Sequence, residues 1–396
     1  LTKMPEAGAS LNPMLTNAAI MRLATVAELL LIAATWRLWF AASDFPQVLF
    51  FGWMPDCPVE VTRSISGAFV CGLIFLGLSG LRTESLPGRI PVLLVLCLGL
   101  SAVACNQHCL QPWHWLFLLF AGIRVIVPDV EFPTAVRRIV PWIYVFAAVS
   151  RFGPEIDSGM SRWIVATVLD LLDLHMIADQ PKYVTLLCIT TTLIELIAGL
   201  CLLSRRFRRT GMLLAVFMHL TLIVVLGPIG LKQETGVLIW NGYLICLVVQ
   251  LWRKPLYPPR NSVTTRAMSV FGLVWPTLAL FGMTDNWTGW QVYSPRPEVL
   301  ELQVHVDAIS QLSASLRSHV DPPSALEDWS TIRLDRWCLE ETGAPLYPQA
   351  EFQRIVAREA TAHVKNDNHI RARMNRPQFP LWWHRQNDIF HNRSAL

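Results

Sequence analysis

Residues 183–228 read YVTLLCITTTLIELIAGLCLLSRRFRRTGMLLAVFMHLTLIVVLGP. Two apolar runs, 183–203 and 210–228, flank Ser204 and the cationic knot Arg205-Arg206-Phe207-Arg208-Arg209. At 1.5 Å per helical residue, a run of about 20 residues crosses the ~30 Å hydrocarbon layer. Arginines enter that layer only at high cost, so the knot marks a turn on a water-facing side. The stretch reads as a transmembrane hairpin.

Outward from this hairpin the pattern repeats. Further apolar runs fall at about 18–40, 64–81, 90–105, 112–127, 139–152, 236–252 and 268–283, which makes nine spans in all. The run at 139–152 is short for a crossing. Of 396 residues, 53% are hydrophobic and 16% charged, against about 25% charged in an ordinary soluble domain. Mean hydropathy is +0.39. A soluble enzyme, a disordered chain and a small disulfide scaffold are excluded. The expected fold is an all-α polytopic bundle of about nine transmembrane helices over residues 1–283. A small α+β extramembrane tail follows over residues 284–396. No internal repeat is visible, which disfavours a transporter built from duplicated halves.

Charge orients the bundle. With the N-terminus in the cytoplasm, fifteen Lys and Arg of residues 1–283 fall on the inner side and six on the outer side. Cations favour the cytoplasmic side, so the C-terminal tail is expected outside. The tail carries 12 Lys and Arg against 14 Asp and Glu, and no basic stripe suggests nucleic acid. The first apolar run lacks a small-residue cleavage site, so no cleavable leader is expected.

The outer segments carry local signals. Trp163–Leu174 has helical apolar spacing suited to an interface. Val299–Val306 alternates as a strand does, and residues 349–365 read as a helix. The end, around Trp382-Trp383-His384-Arg385, reads as polar and loosely packed.

Ionisable groups within a span are functional candidates by default. Glu195 lies twelve residues into its span, about 18 Å deep, and His219 nine residues into the next, about 13 Å from the opposite face. Their depths nearly coincide, so a Glu195–His219 hydrogen bond is expected, either as a polar clamp or as a ligand site. Cys105, His108, Cys109 and His114 cluster at an outer mouth; Cys-x3-Cys is a weak zinc pattern. A disulfide among Cys57, Cys105, Cys109 and Cys338 is the alternative, and no metal is assigned. Arg151 caps a span beside Ser150, either as a snorkelling cation or as part of a site. Trp240-Asn241 reads as polar glue between helices.

Several of these motifs, taken in order, resemble a known group. They are Asn106-Gln107-His108, Tyr144–Phe152 ahead of Ile156–Met160, Leu193–Gly199, Arg205–Gly211, Val216–His219 and Asn286–Arg296. Together the chain resembles the vitamin K-dependent γ-carboxylase group and its bacterial relatives, the horizontally transferred transmembrane domain proteins. The resemblance implies nine spans and an outer C-terminal part, and a quinone as cofactor. It places the family's assisting His on His108. The family's basic Lys falls on Arg151, or on Ser150 if the alignment slips by one. Arginine stays protonated above pH 12 and cannot serve as a neutral base, so glutamate carboxylation is not expected.

Two readings stand. One is an enzyme acting on a quinone or lipid at the outer face, with His108 and Arg151 catalytic and Asn106, Gln107, Glu195 and His219 binding the ligand. The other is a non-catalytic binding or assembly protein. They differ in geometry: the first needs His108 and Arg151 on one pocket.

Overall fold

The computed structural model describes residues 13–41, 43–54, 57–79, 86–153, 155–253, 262–295, 297–323, 327–378 and 384–396. The helices of the bundle are α1 (Pro13–Ala34), α2 (Trp36–Phe40), α3 (Val59–Leu78), α4 (Leu86–Cys105), α5 (Pro112–Ile126) and α6 (Phe132–Arg151). Next come α7 (Gly159–Leu171), α8 (His175–Ala178), α9 (Pro181–Leu203), α10 (Arg208–Leu226), α11 (Thr235–Trp252) and α12 (Val263–Leu280). Among the described residues, seven helices (α1, α3, α6 and α9 to α12) are long and apolar enough to cross a membrane. α5 and the described apolar part of α4 (Arg89–Cys105) are shorter.

The run expected at 18–40 is broken. Thr35 bonds its hydroxyl back to the Leu31 carbonyl at 2.7 Å, and the chain restarts as α2. Such back-bonding bends helices. The run expected at 139–152 is a full 20-residue helix that begins at Phe132. Arg137 and Arg138 had hidden its first turns from a hydropathy reading; Arg137 lies over the Trp252 ring at 5.8 Å.

α6 is the most buried of the seven long apolar helices. Of its residues 72% are buried, against 28–33% for α3, α9, α10 and α12. It packs on α9, α12, α5 and α1. Against α9 the approach is close because Gly199 has no side chain. A Cβ there would lie 2.8 Å from Val145 Cγ2 and 3.0 Å from the Pro141 carbonyl oxygen. Small residues at such crossings let helix backbones approach.

The tail is a four-stranded antiparallel sheet with helices. Its elements are β1 (Val299–His305), α13 (Ala314–Arg317), β2 (Trp329–Ile332), α14 (Leu334–Thr342), α15 (Ala350–Ala360), β3 (Ile370–Pro377) and β4 (Arg385–Phe390). The strand order is β2-β1-β3-β4, with Leu302 opposite Ile332 and Ala372, and Ala372 opposite Phe390. β1 buries Leu300, Leu302 and Val304 on one face, under α15. The strand expected at 299–306 is β1, and the helix expected at 349–365 is α15, which ends earlier, at Ala360.

The tail shares one continuous apolar core with the bundle. Phe45 of the bundle packs on Trp337 and Phe352 of the tail, with ring centroids 5.0 and 6.4 Å apart. Arg37 donates to the Glu340 carbonyl at 2.7 Å, and Asn286 to the Pro348 carbonyl at 3.0 Å. At the chain end most of the described residues are exposed or half-buried, and one of them anchors it. Arg385 opens β4 and grips Glu155 through two 3.0 Å hydrogen bonds. Trp382 and Trp383 lie outside the described residues.

Candidate functional site

α6 ends at Arg151, where Phe152 turns into extended backbone. The Arg151 guanidinium lies 2.8 Å from a carboxylate oxygen of Glu195, fourteen residues into α9. Fourteen residues of helix span about 21 Å. α6 therefore stops well below the start of α9, and the gap is closed by α7, packed on α9 and α10, and by α8, packed on α9.

The gap is a cavity of about 680 Å³, within the range of drug-sized ligand sites. Its walls are apolar: Val165 and Leu169 from α7, Leu187 and Ile194 from α9, Met218 and Leu222 from α10. Its polar end is Arg151, Glu195 and Tyr293. The Arg151 and Glu195 side chains are 17% and 8% exposed. The contact is ionic and not a well-aligned hydrogen bond, so Arg151 Nε and Glu195 Oε2 retain unmet hydrogen-bonding capacity. Thr191 and Thr221, also on the wall, are committed to the Cys188 and Phe217 carbonyls.

Tyr293 belongs to the segment after α12. Ser294 ties it down by donating to the Ser150 carbonyl at 2.8 Å. Tyr293 has φ +60°, a conformation that a bulky residue holds only when its surroundings demand it. Arg385 supplies that demand, since it also bonds the Pro295 and Pro297 carbonyls on the far side. Burial pushes the Tyr293 phenol up to about 12, against the opposing pull of the Arg151 charge. The phenol is neutral and can donate.

The expected Glu195–His219 bond is not formed. His219 donates from Nδ1 to Asn241 Oδ1 at 2.8 Å and accepts the Tyr144 hydroxyl on Nε2 at 3.0 Å. Depth along the helices carries no information about the direction that the two side chains face. α6 supplies Tyr144 to His219 on α10 and Arg151 to Glu195 on α9. The Tyr144–His219–Asn241 chain joins α6, α10 and α11.

His108 and Arg151 are not brought together. Asn106 caps a 3₁₀ turn at Gln107–Cys109 by accepting the His108 amide. Gln107 donates to Gln349 Oε1 at 2.6 Å, and His108 Nε2 meets the Pro345 carbonyl at 2.8 Å. His108 is 2% exposed, between the Phe45 and Phe352 rings, and is not on the cavity wall. Burial lowers its pKa to about 4, partly offset by the Pro345 bond. The Asn106-Gln107-His108 motif is where the tail docks.

The Cys and His residues grouped by sequence also diverge. Among the described residues every cysteine is a free thiol, and no three His, Cys, Asp or Glu side chains are placed to hold a metal. His114 points into the bundle, where its Nδ1 lies 2.5 Å from Glu28. Both are at most 1% exposed, and the Trp39, Phe69 and Trp113 rings surround the imidazole. Sequence reasoning missed Glu28, although an acid within residues 18–40 satisfies the same rule that selected Glu195. It missed Tyr293 and Arg385 because their partners lie far away in the chain. Comparison with protein-family models, curated proteins and solved structures finds no match.

Proposed function

We propose that this chain is a nine-span integral membrane protein that binds a quinone or similar lipid-like amphiphile in the cavity beside Arg151. Its N-terminus is cytoplasmic, and its tail and the cavity are on the outer side. The observation that carries this reading is the cavity itself, apolar along its length and ending at the buried Arg151–Glu195 pair. Such a shape suits a hydrocarbon body with one polar head. The sidedness is supported by cation placement. Arg89 and Arg124 gather on Asp129 at the end of the bundle away from the tail.

Glutamate carboxylation is not part of the proposal. Arg151 can only donate hydrogen bonds, Ser150 is turned back onto the Ala147 carbonyl, and His108 faces the tail. Purified protein given vitamin K hydroquinone should fix no carbon dioxide into a glutamate-containing peptide. Fixation that disappears in His108→Ala would overturn this point.

A second reading, an assembly protein without a ligand, is favoured by the tail-docking role of Asn106, Gln107 and His108. Mass spectrometry of organic extracts separates the two. A long-chain amphiphile should co-purify with the unmodified protein and be lost from Leu222→Trp, which fills the cavity. Identical extracts from both proteins would favour the assembly reading.

A further inference from the structure

Resting on that binding reading, we infer that Glu195 is a charge filter that selects uncharged, hydrogen-bond-accepting head groups and rejects anionic ones. Arg151 and Glu195 are the sole basic and acidic side chains among the described residues on the wall, 2.8 Å apart as an ion pair. The polar end is therefore electrically balanced before any ligand arrives. Its neutral companions do not change that sum. Tyr183 and Tyr293 are phenols, Ser161 is a hydroxyl, and Thr191 and Thr221 are tied to their own helices.

An anionic head beside this pair is attracted by Arg151 and repelled by Glu195 at nearly the same range. It still loses its hydration in an apolar cavity. A carbonyl or ester oxygen needs only donors, and the pair leaves some unmet: Arg151 Nε is buried without a partner. Its desolvation is also far less costly than that of a carboxylate. Without Glu195, the same Arg151 would make an ordinary anion site. The acid thus acts against the competing ligand, as specificity often requires. Its placement fits that role, since the Glu195 side chain is 8% exposed and one oxygen lacks a hydrogen-bond partner.

The test compares two probes that share a tail and differ in charge: methyl oleate and oleate, at a pH where the acid is ionised. Retention of each radiolabelled probe is measured on the full-length protein in detergent micelles. The expected result is a preference for the ester of about tenfold or more. Glu195→Gln should lower the ester-to-acid ratio by about tenfold, whereas Glu195→Asp should keep it above one. If Glu195→Gln does not fold, Glu195→Thr removes the same charge in its place, and an ester-to-acid ratio unchanged in the folded neutral variant would overturn the filter. Equal retention of both probes by the unmodified protein would overturn the filter while leaving the binding reading in place. Retention of neither would overturn the binding reading and the filter with it.

Discussion

Arg151 and Glu195 stabilise each other in a setting that neither could occupy alone. Removing one partner of a buried ion pair leaves the other uncompensated, at about 3–5 kcal/mol. Glu195→Leu should accordingly reduce thermal stability in detergent far more than Glu195→Gln, which keeps an acceptor for Arg151. Equal melting of the two variants would mean that the pair is not formed. His108 gives a pH signature. Its folded pKa of about 4 lies below the unfolded value near 6.5. Its contribution is therefore complete above about pH 6.5, and is lost as pH falls towards 4 because the unfolded state takes up the proton first. The upper bound on that loss is about 3 kcal/mol. His108→Gln should flatten this acid limb, measured as protease sensitivity of the tail between pH 7 and 4. An unchanged limb would place the acid-sensitive group elsewhere.

At the scale of elements, the helices were legible wherever a run was purely apolar. The 183–203 and 210–228 runs match α9 and α10 within about two residues, since hydropathy and the arginine knot mark both ends. Elements that mix signals were read less well. α6 was started seven residues late because Arg137 and Arg138 lie within it, and the Thr35 break was missed because one hydroxyl bond is invisible to hydropathy. The site was legible in part. Intramembrane charge singled out Glu195 and His219, but helical depth carries no information about azimuth, so their partners were misassigned. The α6–α9 crossing that brings Arg151 to Glu195 depends on Gly199. Gly199→Ala places a Cβ 2.8 Å from Val145 Cγ2 and 3.0 Å from backbone oxygen, an overpacking expected to cost about 1–3 kcal/mol. A melting temperature equal to that of the unmodified protein would show that the helices have room to part.

The whole molecule is a bundle with a cap docked on one end, and the cap reaches the cavity. Arg385 links β4 to the α6–α7 turn through Glu155 and to the backbone beside Tyr293. A contact between residues 230 positions apart could not be read from spacing. Sidedness can be checked by cysteine labelling on intact cells. A cysteine at the exposed Asp335 should react with an impermeant maleimide, and one at the exposed Arg206 should not; reversed labelling would contradict the proposed nine-span topology. The central claim is that the crevice under α7 and α8 holds an amphiphile with its head at Arg151. A cryo-electron microscopy map of the unmodified protein in lipid nanodiscs tests this directly. The account predicts elongated density running between α7, α9 and α10 and ending beside Arg151 and Tyr293. A map in which α7 has collapsed onto Leu187 and Met218, leaving no such density, would contradict it.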